Sequence, residues 1–204
     1  FKGRYPITQA QWRFVASLKR VKLKLKPNPS HFKGKNCPVA RVSRNEAAEF
    51  CARLSYYTGN DYRLPTEAQW EYACRAGTQS PFCVGGTIAS ELANYRGTTT
   101  YNFELEGELR KKTTPVCSLR AANAFGLCDM HGNVWEWCAD NWHERYEGAP
   151  TDGSAWLTDN MNDGHVLRGG SWFNAPGYCR SATRIASGPI NGVSDCGFRV
   201  CCSV

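Results

Sequence analysis

Acidic residues are absent from the first 44 positions of the chain, although this stretch carries twelve lysines and arginines. All 18 acidic residues follow it, so the net charge of +7 originates in the N-terminal part. A basic strand or arm of this kind suits an anionic partner, such as a phosphate backbone or anionic lipid; a solvated surface segment is the alternative. No nucleic-acid fold signature accompanies the charge. The densest part alternates cations with aliphatic residues: Lys19, Arg20, Val21, Lys22, Leu23, Lys24, Leu25 and Lys26.

Long apolar runs and paired cysteine motifs are also missing. No run approaches the roughly 20 residues that a membrane helix needs, so we expect no membrane span. No signal peptide opens the chain, and because it begins with Phe1 we expect it to be the C-terminal part of a longer protein. The eleven cysteines include no CxxC pair, and Cys51, Cys74 and Cys138 have apolar neighbours, among which a thiol packs as a small hydrophobe. We therefore predict a reducing, cytoplasmic location.

The length of 204 residues and the hydrophobic content of 42% predict one globular domain over residues 1–204. Apolar residues at helical spacing predict a helix over 44–58, from the N-cap Ser43 to Gly59, and another from Thr66 towards Gly77. A shorter helix is expected around Thr8–Leu18. These patterns predict an α+β fold with two main helices, short strands and much irregular loop structure. The expected loops are 98–114 and 143–165, and the expected strands are Val134–Trp137, His165–Arg168, Ser171–Phe173 and Gly197–Cys201.

Motifs of common enzyme classes are absent as well. The chain has no nucleophile elbow, no P-loop and no dinucleotide fingerprint. Its four histidines lack the spacing of metal ligands, and each is expected at the surface or in a loop. They are His31, His131, His143 and His165.

Four blocks of sequence together resemble one family. They are YRLPTEAQWEYA at 62–73, NAFGLCDMHGNVWEW at 123–137, LRGGSW at 167–172 and GFRV at 197–200. In this order they resemble the formylglycine-generating, sulfatase-modifying superfamily. The resemblance implies an elaborated C-type-lectin-like fold over nearly the whole chain.

The resemblance also implies calcium. Glu136 lies between two tryptophans and would be costly to bury without a partner. By the family's motif, the side chains of Asp129 and Glu136 and the carbonyl groups of Gly132 and Val134 would hold a calcium ion, because they are hard oxygen ligands. A Glu136 that bonds to the backbone instead is the alternative. A second family site would use Asn94 and the Tyr95 carbonyl, with its other ligands near Glu108 and Arg110.

The family's oxidase needs two cysteines just after its Gly-Gly-Ser-aromatic motif, which bind copper as thiolates. The first position corresponds to Asn174, and an amide cannot replace a copper thiolate. Cys179 is not a convincing equivalent of the second. We therefore expect no copper and no enzymatic activity. One alternative is a copper-dependent oxidase that converts a cysteine of a client protein to formylglycine through Cys179 or Cys196. Another is an inactive regulatory or sensor domain of a signalling protein.

Five residue types are missing from segment 173–200, namely Lys, Glu, Gln, Met and Trp, although the other 176 residues contain 33 of them. Randomising the first two bases of an asparagine codon cannot produce any of these five. Seventeen positions of the segment lie between apparent scaffold residues, and all seventeen carry amino acids that such randomisation does produce. The scaffold residues are Pro176, Cys179, Arg180, Ser181, Ala182, Arg184, Pro189, Gly197, Phe198 and Arg199.

This pattern resembles the variable proteins of diversity-generating retroelements, which mutate adenines at the end of a C-type-lectin-fold domain of the same superfamily. It implies a non-catalytic domain that binds a ligand, expected to be a protein, through a variable face within 173–200. An inactive family member whose loop has drifted is the alternative. The predicted ligand-binding residues are Phe173, Asn174, Ala175, Gly177, Tyr178, Thr183, Ile185, Ser187, Ile190, Asn191, Val193, Ser194, Asp195 and Cys196.

Overall fold

A computed structural model describes residues 3–119, 121–160, 163–188 and 194–203. Within them the predicted α+β architecture is confirmed. No helix in these ranges is both long and apolar enough to cross a membrane. The helices are α1 (Gln9–Ser17), α2 (Arg44–Thr58) and α3 (Glu67–Arg75), with a 3-10 turn at Pro176–Cys179. The strands are β1 (Asp61–Arg63), β2 (Trp135–Asn141), β3 (His165–Arg168), β4 (Arg184–Ser187), β5 (Cys196–Gly197) and β6 (Cys201–Ser203).

Each helix begins with a capping box, in which a hydroxyl accepts the backbone N–H three residues ahead and that residue's side chain bonds back. The N-caps are Thr8, Ser43 and Thr66. Helix α2 ends at Gly59 with φ of 76°, as predicted. Helix α3 ends slightly earlier than predicted because Ala76 already adopts a left-handed conformation, with φ of 46°.

Strand β2 is the centre of the main sheet, whose order is β4-β3-β2-β5. It pairs antiparallel with β3 and parallel with β5, while β3 pairs antiparallel with β4. Strands β1 and β6 form a separate antiparallel ribbon. The predicted variable segment therefore contributes two strands to this sheet, β4 at one edge and β5 at the other.

Two strand predictions need correction. Ser171–Phe173 is a turn rather than a strand, because the Asn174 N–H donates to the Ser171 carbonyl group at 3.1 Å. Gly197–Cys201 is not one strand, since Cys196–Gly197 pairs with β2 whereas Cys201–Ser203 pairs with β1. The prediction for His165–Arg168 is confirmed, and that for Val134–Trp137 is confirmed from Trp135 onward.

Aromatic side chains form the main core between α1, α2 and the sheet. Trp12 stacks on Phe50 at 5.6 Å between ring centroids, and the edge of Phe198 meets both rings. A second cluster lies under α3 around Trp70. A third contains Phe82, Tyr95 and Cys179. The C-terminal segment thus rests on buried side chains from several parts of the chain.

The cysteines and histidines differ partly from expectation. Cys51, Cys74 and Cys138 are buried, as predicted. Cys117 and Cys128 form a disulfide, a bond found mainly in oxidising compartments, so the cytoplasmic location stays a prediction.

The expectation that each histidine lies at the surface or in a loop is wrong for His165, which is buried in β3. His131 lies in a loop, as predicted, but it is buried as well. His131 fits the interior because one ring nitrogen accepts the Cys83 N–H and the other meets the Cys179 carbonyl group. The ring of His165 meets the Asp140 carbonyl group.

The basic segment 19–26 is neither a strand nor a free arm. It is an irregular loop that lies against α2, because the buried carboxylate of Glu49 accepts backbone N–H groups from it. Leu25 enters the main core, and the cations of the segment stay exposed.

Candidate functional site

The predicted variable face begins where two glycines turn the chain out of β3. Gly169 and Gly170 have φ of 96° and 75°, a region that side chains rarely tolerate. A Cβ on Gly170 would lie 2.5 Å from the Sγ atom of Cys179. The backbone can approach this fully buried thiol only because no side chain intervenes, and this close approach supports the 3-10 turn.

Ser171 is a buried polar hub that joins the two ends of the face. Its Oγ atom lies 2.6 Å from Oδ1 of Asn174 and 2.6 Å from Oδ2 of Asp195. Its backbone N–H also donates to Asn174 Oδ1 at 3.1 Å. The Asp195 carbonyl group in turn accepts the Trp135 N–H at 2.8 Å. Residues 174 and 195 are therefore held together next to the central strand.

An aromatic ridge runs beside this hub. Phe173 is 52% exposed, and the guanidinium of Arg96 lies 4.4 Å from its ring centroid, within cation–π distance. Trp172 meets Phe173 on one side and Phe32 on the other, at 5.5 and 5.4 Å between centroids. Sequence reasoning missed Phe32 and Arg96, because a single aromatic and a single cation so far from 173 carry no local signal.

Tyr178 occupies the outer side of the 3-10 turn and is 52% exposed. Its backbone N–H donates to the Ala175 carbonyl group at 3.0 Å. The Gly177 carbonyl group accepts from the Thr183 hydroxyl at 3.0 Å. Tyr178 therefore presents its ring to solvent from a backbone fixed by hydrogen bonds.

Arg184 anchors β4 beneath the face. Its guanidinium forms two bonds to the Glu67 carboxylate, at 2.8 and 2.7 Å, and donates to the His143 carbonyl group at 2.7 Å. It also lies 4.5 and 4.4 Å from the ring centroids of Trp142 and Tyr146. The bidentate ion pair, together with the two neighbouring rings, fixes the position of β4 relative to α3.

Two predicted binding residues are placed differently from expectation. Cys196 is 1% exposed and packs in the main core, so its assignment to the face is wrong. It forms part of β5, whose pairing with β2 brings its side chain into the interior. Ile185 pairs with Leu167 and packs partly against the same core, so only part of this residue is available at the surface.

The other predicted residues that the structure describes reach the surface. Phe173, Tyr178 and Ser194 are exposed. The half-buried ones are Asn174, Ala175, Gly177, Thr183, Ser187 and Asp195. Ile190, Asn191 and Val193 lie outside the described residues.

The cysteines near the face are inside the protein. Burial raises the pKa of Cys179 to about 12 and also raises the pKa of Cys196. They belong to different clusters, Cys179 to the one with Phe82 and Cys196 to the main core. Both are thiols at neutral pH, and neither is a surface thiolate for a soft metal.

Glu136 forms an ion pair with Arg199, and both side chains are almost completely buried. Its two oxygens accept from Nη2 and Nε of Arg199, each at 2.6 Å, and Oε2 also accepts the Trp70 indole N–H at 2.7 Å. Arg199 further donates to the Cys128 carbonyl group at 3.0 Å. The charge that sequence reasoning flagged is therefore balanced within the protein.

A sequence model of the sulfatase-modifying factor enzyme 1-like domain matches residues 2–204. The chain belongs to this family. The formylglycine-generating enzyme of Mus musculus is 31% identical over 200 residues, which are 95% of this chain and 49% of the mouse protein. The chain thus spans about half the length of that relative.

Two solved structures share the fold of this family member. PvdO from Pseudomonas aeruginosa superposes with a TM-score of 0.82 and 33% identity, over 100% of this chain and 80% of PvdO. Treponema denticola variable protein 1 gives a TM-score of 0.80 and 27% identity, over 98% of this chain and 82% of that protein. The predicted formylglycine-generating-enzyme fold of C-type-lectin-like type is confirmed.

The family's calcium ligands are only partly suited to calcium in this member. Glu136 does not fit in the observed arrangement, because Arg199 and Trp70 already engage both of its oxygens. No guanidinium of the residues that the structure describes is bonded to the carboxylate of Asp129, whose Oδ2 accepts the Cys117 N–H at 2.7 Å. Gly132 and Val134 lie on the turn between these two carboxylates and would contribute only carbonyl oxygens. No group of three or more His, Cys, Asp or Glu side chains forms a metal cluster in the described ranges.

The second family position fits a cation better. Asn94 is buried, and its Oδ1 atom has no hydrogen-bond partner among the described residues. Its amide nitrogen is held by the Lys112 carbonyl group at 2.9 Å, which fixes the orphaned oxygen in place. A buried amide oxygen without a donor is the kind of ligand that calcium accepts. Calcium remains a prediction for this chain.

We expect Asp129→Asn to stabilise the protein at about pH 8 without calcium, and to have little effect near pH 4. Burial raises the pKa of Asp129 to about 6 in the folded protein, whereas the pKa of an aspartate in the unfolded chain is about 4. The wild-type protein therefore loses stability as the pH rises from about 4 through about 6, because the folded state must then bury a charged carboxylate. The amide has no charge to bury and tolerates the left-handed backbone at this position, where φ is 55°. The gain should be up to about 2 kcal/mol in denaturant unfolding with EGTA.

The same unfolding experiment with millimolar Ca²⁺ tests whether Asp129 is a calcium ligand. If Asp129 is a ligand, calcium will stabilise the wild-type more than the variant. A variant that is less stable than wild-type at about pH 8 in EGTA would contradict the burial argument.

Proposed function

We propose that this chain is a non-catalytic binding module whose ligand, a protein, meets the face around residues 173–195. The observation that carries the proposal is that the variable positions are mostly accessible to solvent, whereas most of the scaffold positions are buried. Of the thirteen described positions that the sequence marks as variable, only Cys196 is buried. Of the nine described scaffold positions, six are buried: Pro176, Cys179, Ser181, Gly197, Phe198 and Arg199.

The chemistry of the face suits a protein ligand. Phe173 and Tyr178 offer aromatic area with few rotatable bonds, which is how antibody loops obtain contact at a low entropy cost. Asn174 and Asp195 add polar groups held by Ser171. Arg96 lies at the edge of the aromatic ridge and adds a cation that can pair with a carboxylate. The fixed backbone would let the side chains change without loss of the fold.

Diversification explains why these positions lack five residue types. Mutation at adenines of asparagine codons would vary the exposed positions and leave the buried supports unchanged. The likeness to Treponema denticola variable protein 1 supports this reading. It predicts a near-copy of the DNA for 173–200, differing only at adenines, beside a reverse-transcriptase gene. A locus with neither would leave only a drifted binding domain.

The rival function is the copper-dependent oxidation of a client cysteine, favoured by the 31% identity to the mouse enzyme. We expect no thiol-dependent oxygen uptake and no formylglycine when the chain is supplied with Cu(I) and a cysteine peptide. The reason is that Asn174 offers no thiolate and Cys179 is a buried thiol. Mass spectrometry of the peptide and an oxygen electrode provide the readouts, with a formylglycine-generating enzyme as the positive control.

The matched variant for that assay is Cys179→Ala, checked for folding by circular dichroism. It should behave like the wild-type chain, because the buried sulfur takes no part in surface chemistry. Turnover by the wild-type that disappears in Cys179→Ala would overturn the non-catalytic proposal.

A further inference from the structure

The loop 19–26 is folded around one buried carboxylate. Glu49 of α2 accepts the backbone N–H groups of Val21, Lys22 and Leu23 at 2.9, 2.8 and 3.0 Å. Burial alone would raise the pKa of Glu49, but Arg53 and these N–H groups lower it to about 2. The negative charge of Glu49 is thus engaged in shaping the loop backbone.

Both ends of the loop are fixed as well. Arg53 bonds to Glu49 at 2.7 Å and donates to the Leu18 and Leu23 carbonyl groups at 3.1 and 2.5 Å. At the far end, the Trp12 indole N–H donates to the Lys26 carbonyl group at 2.8 Å. A loop held in this way loses little conformational entropy when it meets a partner.

The outward side of the loop combines cations with apolar groups. Val21 and Leu23, which alternate with the cations, are 47% and 41% exposed. Exposed aromatics continue the patch, because Lys19 lies over the Tyr56 ring at 5.4 Å and Phe14 meets Tyr57 at 5.5 Å. The exposed cations of this basic patch are Arg13, Lys19, Arg20, Lys22, Lys24 and Lys26.

No carboxylate of the surrounding sequence is available to neutralise these cations. Residues 1–58 contain only two acidic residues, Glu46 and Glu49. Glu46 belongs to the capping box of α2, and Glu49 is bonded to Arg53 and the loop. The basic patch therefore presents a positive charge that attracts an anionic partner.

We propose that the basic patch docks on an anionic lipid surface. Lysines beside a membrane gain electrostatic attraction to acidic headgroups, while small apolar and aromatic side chains enter the headgroup boundary. Phosphate backbones would use the cations but have no use for the aliphatic Val21 and Leu23 at the loop surface. The combination of six cations with exposed aliphatic and aromatic groups therefore favours lipid. The basic patch and the variable face have no residue in common, and contact with lipid does not depend on ligand binding at that face.

Sedimentation of the 204-residue chain with vesicles tests the proposal. The chain should bind phosphatidylcholine vesicles that contain phosphatidylserine, bind pure phosphatidylcholine much less, and be released by high salt. Lys22→Glu/Lys24→Glu should weaken the partition coefficient by roughly tenfold or more. Lys111→Glu/Lys112→Glu changes the net charge equally at another exposed site and serves as the matched control.

Apolar contact is tested separately with Val21→Ser/Leu23→Ser, which keeps every cation and should also weaken vesicle binding. Circular dichroism and thermal unfolding verify that each variant keeps its fold. Equal binding to both vesicle types, or equal loss in both charge-reversal variants, would overturn the proposal. So would binding that is unaffected by Val21→Ser/Leu23→Ser and is displaced by poly-glutamate or oligouridine, which would indicate an acidic protein or a nucleic acid instead.

Discussion

Replacing Glu136 by glutamine should lower the free energy of unfolding by about 3–5 kcal/mol, the usual cost of breaking a buried ion pair from one side. Arg199 is completely buried and would keep its charge, because a guanidinium is not deprotonated in proteins. Glutamine can accept one bond from the guanidinium but cannot balance the charge. The remaining cation would lie between β2 and the turn at Cys128 without the carboxylate that now pairs with it.

Two controls make the result interpretable. Glu108→Gln removes an ion pair to Arg110 in which the glutamate side chain is largely exposed, so it should cost less than about 1 kcal/mol. The double variant Glu136→Gln/Arg199→Met removes both charges and should recover a large part of the loss. Denaturant unfolding in EGTA measures all three. A cost for Glu136→Gln no larger than that for Glu108→Gln would show that the pair is not closed in solution.

The Glu136–Arg199 pair shows how far sequence reasoning extends. A glutamate between two tryptophans signals a buried charge, so the need for a partner follows from composition alone. The partner itself, 63 residues away, follows only from the parallel pairing of β5 with β2. The family motif favours calcium for the same carboxylate. A motif gives the positions of possible ligands, but it does not show that a guanidinium of the same chain, here Arg199, already neutralises one of them.

The local elements are the predictable ones. The capping boxes at Ser43 and Thr66 are complete within four residues, so the sequence alone locates both helix starts. Strands depend on partners far along the chain, which is why the pattern at Ser171–Phe173 predicts a strand where the chain turns. β4 escapes prediction because a short stretch with two small residues has little strand signal until its pairing with β3 is known.

Under the proposed diversification, amino-acid usage would locate the variable face before its geometry is known, because the absence of five residue types would arise in the DNA and not in the packing. The same usage cannot tell an exposed variable position from a buried one. Cys196 falls in the accessible amino-acid set, yet it is a core residue. The supporting residues Arg96 and Phe32 follow no such rule, and only the folded chain brings them beside Phe173.

Replacing Gly170 by alanine should destabilise the protein by about 2–5 kcal/mol, because a left-handed backbone costs a side chain about 1–2 kcal/mol and overpacking adds about 1–3 kcal/mol. The new Cβ would lie 2.5 Å from Sγ and 3.0 Å from the α-carbon of Cys179. Gly126→Ala is the matched control, since Gly126 has φ of 76°, against 75° for Gly170, and a Cβ there would meet no atom within 4 Å. The difference in unfolding free energy between the two variants isolates the packing cost beneath the face.

Combining Gly170→Ala with Cys179→Ala should restore only part of that difference. The second substitution removes the sulfur, but the backbone of residue 179 still crowds the new Cβ, and the Tyr178 carbonyl oxygen lies 3.1 Å from it. The 3-10 turn that carries Tyr178 would still have to move, so ligand binding at the face should fall even where the fold survives. If Gly170→Ala costs no more than Gly126→Ala, then the turn shifts freely, and the face lacks the rigid support on which a tolerant binding surface depends.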